Sequence, residues 1–178
     1  MIQQLCNINN EGYVDTFFKV AIFEASQLPY FSHLTADDTV ENLITNLPDS
    51  AQVLLTDLLP GNLQLNHGSR FSKDGTLYST NASFLITPQD KNLQALLETY
   101  NNKEVVILIS KRTTSHLYGT KIQPLLFGYS EANASTPDII KGYNITINGE
   151  GYGASKLFEE VVFNIFSRGL AFKLAQQI

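Results

Sequence analysis

Residues 76–109 read TLYSTNASFLITPQDKNLQALLETYNNKEVVILI, and the order of patterns in this stretch decides the fold class. Thr76 to Ile86 carries Leu77, Phe84 and Ile86 among hydroxylated neighbours, the composition of a strand. Thr87-Pro88-Gln89-Asp90 then starts a helix. Thr87 can cap it, Pro88 sits where a missing N–H costs nothing, and Asp90 can bond back to the cap. Leu93, Leu96, Leu97 and Tyr100 mark one helical face, so the helix is expected over about 88–100, and Asn101-Asn102 stops it. Val105 to Ile109 is a continuous apolar run, the mark of a central strand.

Outward from this stretch the chain keeps its β character. Thr16 to Ala25, TFFKVAIFEA, is β-branched and aromatic and reads as a strand buried on both faces. Ser72-Lys73-Asp74-Gly75 is a turn. His116 to Tyr118, Pro124 to Tyr129 and Tyr143 to Ile147 read as three more strands. The last alternates strictly, with Tyr143, Ile145 and Ile147 on one side and Asn144, Thr146 and Asn148 on the other. The order β-β-α-β-β-β with short late loops predicts an α+β fold: an antiparallel sandwich or barrel-like sheet against one packed helix. Between them, residues 26–70 show poor sheet periodicity and read as an extended loop or arm. Val40, Leu43, Ile44 and Leu47 within it have helical spacing behind Asp37 and Asp38.

From Ala154 the period becomes helical. Leu157/Phe158, Val161/Val162, Ile165/Phe166 and Leu170 form a wide apolar stripe, so residues 1–153 are expected as a β-rich core domain and 154–178 as a C-terminal amphipathic helix. These seven residues are the candidate interface. Such a helix docks either on its own core or on another subunit, and the pattern is compatible with both. Gly149 to Gly153 reads as a flexible link before it.

The chemistry search finds little. The chain has 178 residues, 12 Lys+Arg against 17 Asp+Glu and one cysteine. That mild acidity argues against a phosphate-neutralising nucleic-acid reader or a polybasic membrane-surface binder. A lone Cys6, with no basic residue beside it, offers neither a disulfide framework nor an activated thiolate. The opening MIQQLCNINNEG has no charged n-region or apolar h-region, so no secretory signal is expected. No 18 apolar residues run together, so no membrane helix is expected either. A soluble protein is the expectation.

The run Gly149-Glu150-Gly151-Tyr152-Gly153-Ala154 matches the loose dinucleotide fingerprint, but no strand with a ribose-binding acid follows it. His33, His67 and His116 have no ligand neighbours at i+2 or i+4, and Asp37-Asp38 with Glu41 lack a calcium loop. No nucleophile elbow appears. Asn81-Ala82-Ser83, Asn133-Ala134-Ser135 and Asn144-Ile145-Thr146 match glycosylation sequons by pattern alone. No catalytic residue, metal or cofactor is expected, and the chain is read as a non-enzyme.

Two segments carry a resemblance: Ser115 to Tyr129, SHLYGTKIQPLLFGY, and Lys141 to Glu150, KGYNITINGE. Together with the strand and helix before them, over roughly residues 75–150, they resemble small structural proteins of phages and prophages of gut-type bacteria, encoded among tail and neck genes. The resemblance implies a ring-forming virion subunit of a tail or head-tail connector, as in the tail rings of crAss-like phages. Its partners would be copies of itself, six or twelve in a ring, and adjacent tail or neck proteins. Assembly would take place in the host cytoplasm, and DNA would pass through the conduit without specific binding, which acidic walls suit. The rival reading is a small ligand- or glycan-binding β-module using Tyr118, Tyr129 and Tyr143 as exposed rings. Those rings serve equally well as sheet packing.

Overall fold

The computed structural model describes residues 19–28, 53–58, 62–86, 91–111, 114–132 and 142–158. Among these residues nine strands form one antiparallel sheet: β1 (Lys19–Glu24), β2 (Val53–Asp57), β3 (Gln64–Ser72), β4 (Gly75–Ile86), β5 (Glu104–Ser110), β6 (Ser115–Tyr118), β7 (Leu125–Ala132), β8 (Gly142–Gly151) and β9 (Lys156–Phe158). The one α-helix among them, α1 (Lys91–Tyr100), joins β4 to β5. The fold is therefore α+β, an antiparallel sheet with a packed helix, and the sheet stays open. Its main path is β2-β1-β5-β7-β8-β4-β3, and a branch, β6-β9, leaves it at β5.

The branch arises because β5 divides one of its edges. Glu104 and Val105 pair with Leu126 and Leu125 of β7, whereas Ile107 to Ser110 pair with Tyr118 to Ser115 of β6. The other edge is taken along its length by β1. A strand that serves three neighbours has to be apolar on both faces, and Val105 to Ile109 are all fully buried. Val105, Ile107 and Ile109 face the main core with Ile145, Ile147, Phe127 and Phe84. Val106 and Leu108 lie on the opposite face, where register places them beside Phe23, Ala21 and Leu117. Truncating one of these fully buried branched side chains to alanine costs about 2–5 kcal/mol.

Strand β8 follows the alternation of its sequence: Tyr143, Ile145 and Ile147 are buried, and Asn144, Thr146 and Asn148 are exposed. Helix α1 buries Leu97 and Tyr100 and lays Leu93 against the core, while Leu96 lies at the margin and is exposed. It ends as its asparagines predict, because Asn102 takes φ 60°, a left-handed conformation that asparagine tolerates better than most residues. The Asn102 N–H donates to the Phe127 carbonyl at 3.0 Å, and the Phe127 N–H donates to the Lys103 carbonyl at 3.0 Å. The cap at residues 87–90 lies outside the described residues.

Three expectations change. Within the expected arm, residues 53–57 and 64–72 are strands β2 and β3 of the sheet, and what lies between 29 and 52, including Asp37, Asp38 and Glu41, is outside the described residues. The helix expected from Ala154 does not begin there. Lys156–Phe158 pair with Leu117–Ser115 as β9, so Phe158 is buried and its neighbour Leu157 exposed. Two adjacent apolar residues satisfy a strand between unlike surroundings as well as they satisfy a broad helical stripe. Val161, Val162, Ile165, Phe166 and Leu170 lie outside the described residues. Finally, Gly149 and Gly151 belong to β8 and are no flexible link. A Cβ on Gly149 would come within 2.6 Å of Leu125 Cδ2, so glycine is present there for close approach.

Candidate functional site: the β3–β4 arm

Strands β3 and β4 form a long hairpin from Gln64↔Ser83 to Ser72↔Gly75. Gly75 closes the turn at φ +128°, a region that favours glycine. At the other end the ladder is extended by a side chain. Asn62 donates through Nδ2 to the Leu85 carbonyl at 2.6 Å and accepts the Leu85 N–H at 3.1 Å, imitating one more pair of strand residues. The β4–β8 ladder stops at Tyr78↔Gly151, so the pairs Arg70–Leu77, Phe71–Thr76 and Ser72–Gly75 project past the end of β8.

This projecting tip carries Phe71, whose ring is 95% exposed. Arg70, on the same tip, reaches back to Glu150 at 3.1 Å, an ion pair with both partners largely in solvent and therefore a weak restraint. Among the described residues β3 pairs with β4 alone, leaving the outward-pointing backbone donors and acceptors of alternate residues along its nine-residue outer edge. The edge residues are polar and include Gly68, a composition that weakens a strand without blocking its pairing.

The inner face of the arm is anchored by rings. His67 sits opposite Thr80, and its Nδ1 lies 2.9 Å from Thr80 Oγ1. Its imidazole stacks on Tyr78 at 5.7 Å and meets Tyr118 of β6 edge to face at 5.2 Å. Tyr118 in turn stacks on His116 at 6.0 Å. Burial pushes the His67 pKa down and the Tyr118 pKa up, so both rings are held neutral. Two of the histidines that are remote in sequence thus share one tyrosine, a convergence that single-strand periodicity could not reveal. They form no metal set, since no group of three ligating side chains occurs among the described residues. His33 lies outside them.

Beside this cluster is a cleft of about 20 Å³ lined by His67, Thr80, Gln123, Gly149 and Gly151, room for about one water molecule. Gln123 Oε1 accepts the N–H groups of Tyr152 and Gly153 at 2.8 and 3.2 Å, which ties the end of β8 to the turn before β7.

The tyrosines expected to present themselves to a ligand do not. Tyr118 and Tyr143 are 5% and 3% exposed, and Tyr129 is half-buried against Tyr143. Their apolar bodies fill the core, which removes the basis of the tyrosine-mediated glycan reading. Of the seven candidate interface residues, Leu157 is half-exposed on β9 and Phe158 is buried. Phe71, the most exposed large apolar side chain among the described residues, escaped sequence reasoning because nothing in SRFSKDG shows that its strand outruns its neighbour. No protein family, curated protein or solved structure matches the chain.

Proposed function

We propose that the chain is a structural subunit that associates with copies of itself, and that the β3–β4 arm is its docking element. The observation that carries this is the arm tip: a phenylalanine almost wholly in water on a hairpin that projects beyond its sheet, next to a strand edge with no described partner. Burying Phe71 against a neighbour would contribute about 1.5–3 kcal/mol, and pairing along the β3 edge would add directional backbone bonds. The specific form we propose is a ring in a phage tail or neck, assembled in the host cytoplasm and carried in the virion. That form is supported by the resemblance of residues 75–150 and by the acidic balance suited to a DNA conduit. The reading assigns the chain no reaction.

Native mass spectrometry of the full chain and of Phe71→Asp tests it. The parent should assemble into a closed oligomer and the variant should remain monomeric with an unchanged melting temperature, because Phe71 is 95% exposed. A parent that is monomeric at all concentrations, or a variant that assembles as the parent does, overturns the proposal.

A further inference from the structure

The outer face of β3, β4 and β8 carries a second arrangement, independent of the arm tip. Register sets Asn66, Asn81 and Asn148 side by side on three adjacent strands, and Leu126 of β7 follows in the same row. The next row is Gln64, Ser83, Thr146 and Gly128. Apart from half-buried Ser83, the polar members of both rows are exposed. They surround an open depression of about 630 Å³ lined by Gln64, Asn66, Asn81, Ser83, Thr146 and Asn148.

Charge, hydrogen-bonding groups, spacing, an apolar neighbour and volume define what would fit this face. Across β3, β4, β8 and β7 neither row contains an ionisable side chain; an acid, Glu104 of β5, stands only beyond Leu126, and Glu150, two residues along β8 from Asn148, is engaged by Arg70. Along the asparagines themselves polyanions and polycations therefore find no charge to complement. Each amide offers two donors and an acceptor, and no partner among the described residues engages those of Asn66, Asn81 or Asn148. Within a row the side chains repeat at the strand spacing, about 4.8 Å, comparable with the length of one sugar ring. Leu126, 52% exposed, stands between Asn148 and Glu104 and offers an apolar surface against which the C–H face of a sugar can lie. The volume lies within the range of about 300–1,000 Å³ usual for small-molecule sites.

From this geometry we infer that the β3–β4–β8 face binds a neutral oligosaccharide, with the Asn66–Asn81–Asn148 row reading ring hydroxyls and Leu126 carrying the apolar side of one residue. The site differs from the tyrosine-based one expected from sequence: it uses amides, and it lies on the opposite face of the sheet from the core-facing rings.

The test is side-chain amide NMR of the full chain titrated with maltoheptaose, cellohexaose, xylohexaose and mannohexaose, and with dextran sulfate as the charged control. At least one neutral probe should shift the Asn66, Asn81 and Asn148 amide resonances. The Asn81→Val/Asn148→Val double variant, which keeps strand propensity, should bind that probe about tenfold more weakly or worse at an unchanged melting temperature. The inference is overturned if none of the four probes shifts these resonances at millimolar concentration, if the shifts fall elsewhere on the chain, or if dextran sulfate binds the same face as well. Should the double variant misfold, Asn66→Val on the exposed edge strand replaces it, with a weakened affinity again required. Because Phe71→Asp leaves this face intact, its monomer should bind the probe as the parent does.

Discussion

His67 and Tyr118 belong to strands that share no ladder, yet their rings meet edge to face with centroids 5.2 Å apart. The contact joins the arm to the β6 branch by side chains where the backbone leaves a gap. A double-mutant cycle with His67→Ala and Tyr118→Ala should return a coupling of about 0.5–1.5 kcal/mol. A coupling of zero in denaturant unfolding would show that the arm is held by the β4 and β8 ladders alone.

Acid should loosen the same contact. Burial lowers the His67 pKa below its ordinary 6.5, so the folded chain holds the ring neutral while the unfolded chain takes up a proton first. The contribution of this ring is complete above about pH 6.5 and is lost as the pH falls through that value toward the folded pKa. His67→Gln should flatten the stability profile in this window. An unchanged slope in the variant would assign the acid sensitivity to other groups. Glu24 acts lower on the scale: its hydrogen bond from Lys103, at 2.8 Å, holds its carboxyl below the ordinary 4.5, so its contribution fades only as the pH drops below that value.

Tyr100 contributes to the alkaline limb. Burial, helped by the negative charge of Glu24, pushes its pKa up to about 12 from 10.0. Its contribution is complete below pH 10.0 and is lost as the pH rises toward about 12, because the unfolded chain ionises first. Tyr100→Phe should abolish this part of the pH dependence. Retention of the full alkaline loss in the variant would contradict the assignment.

Glycine substitutions separate close approach from open space. Alanine at Gly149 would place its Cβ 2.6 Å from Leu125 Cδ2 and 3.1 Å from Leu125 Cα, and should destabilise by about 1–3 kcal/mol. Alanine at Gly68 meets nothing within 4 Å and should be neutral or stabilising by up to about 1 kcal/mol. Equal thermal shifts for the two variants would refute the packing account.

The legible parts of this chain are those where burial and local pattern agree. Ile145 and Ile147 alternate with polar neighbours and lie as their spacing predicts, and Val105 to Ile109 form a strand buried on both faces, as an unbroken apolar run should. Strand β3 was hidden because QLNHGSRFS has little β propensity; it is a strand through its pairing with β4, a tertiary effect. Strand β9 was hidden because Leu157 and Phe158 fit two periods at once. The amide rows were half visible, since Asn144, Thr146 and Asn148 announce a polar face, but which residues of β3 and β4 stand beside them is set by register across residues far apart in sequence.

Among the described residues the branch at β5 leaves three strand ends, β2, β3 and β9, and the parity of the sheet constrains what they can do. From β3 to β2, and equally from β3 to β9, the path runs through seven strands. In an antiparallel ladder direction reverses at every step, so an odd count brings both ends out pointing the same way. Within one subunit, closing the sheet on itself would require a parallel pair in an otherwise antiparallel ladder, whereas antiparallel closed barrels use even numbers of strands. The same arithmetic extends to assemblies. Subunits joined head to tail, β3 of one to β2 of the next, would meet as parallel strands, whereas two copies related by a two-fold axis would join β3 to β3 antiparallel. Strand polarity at the contact therefore reports the symmetry of the assembly.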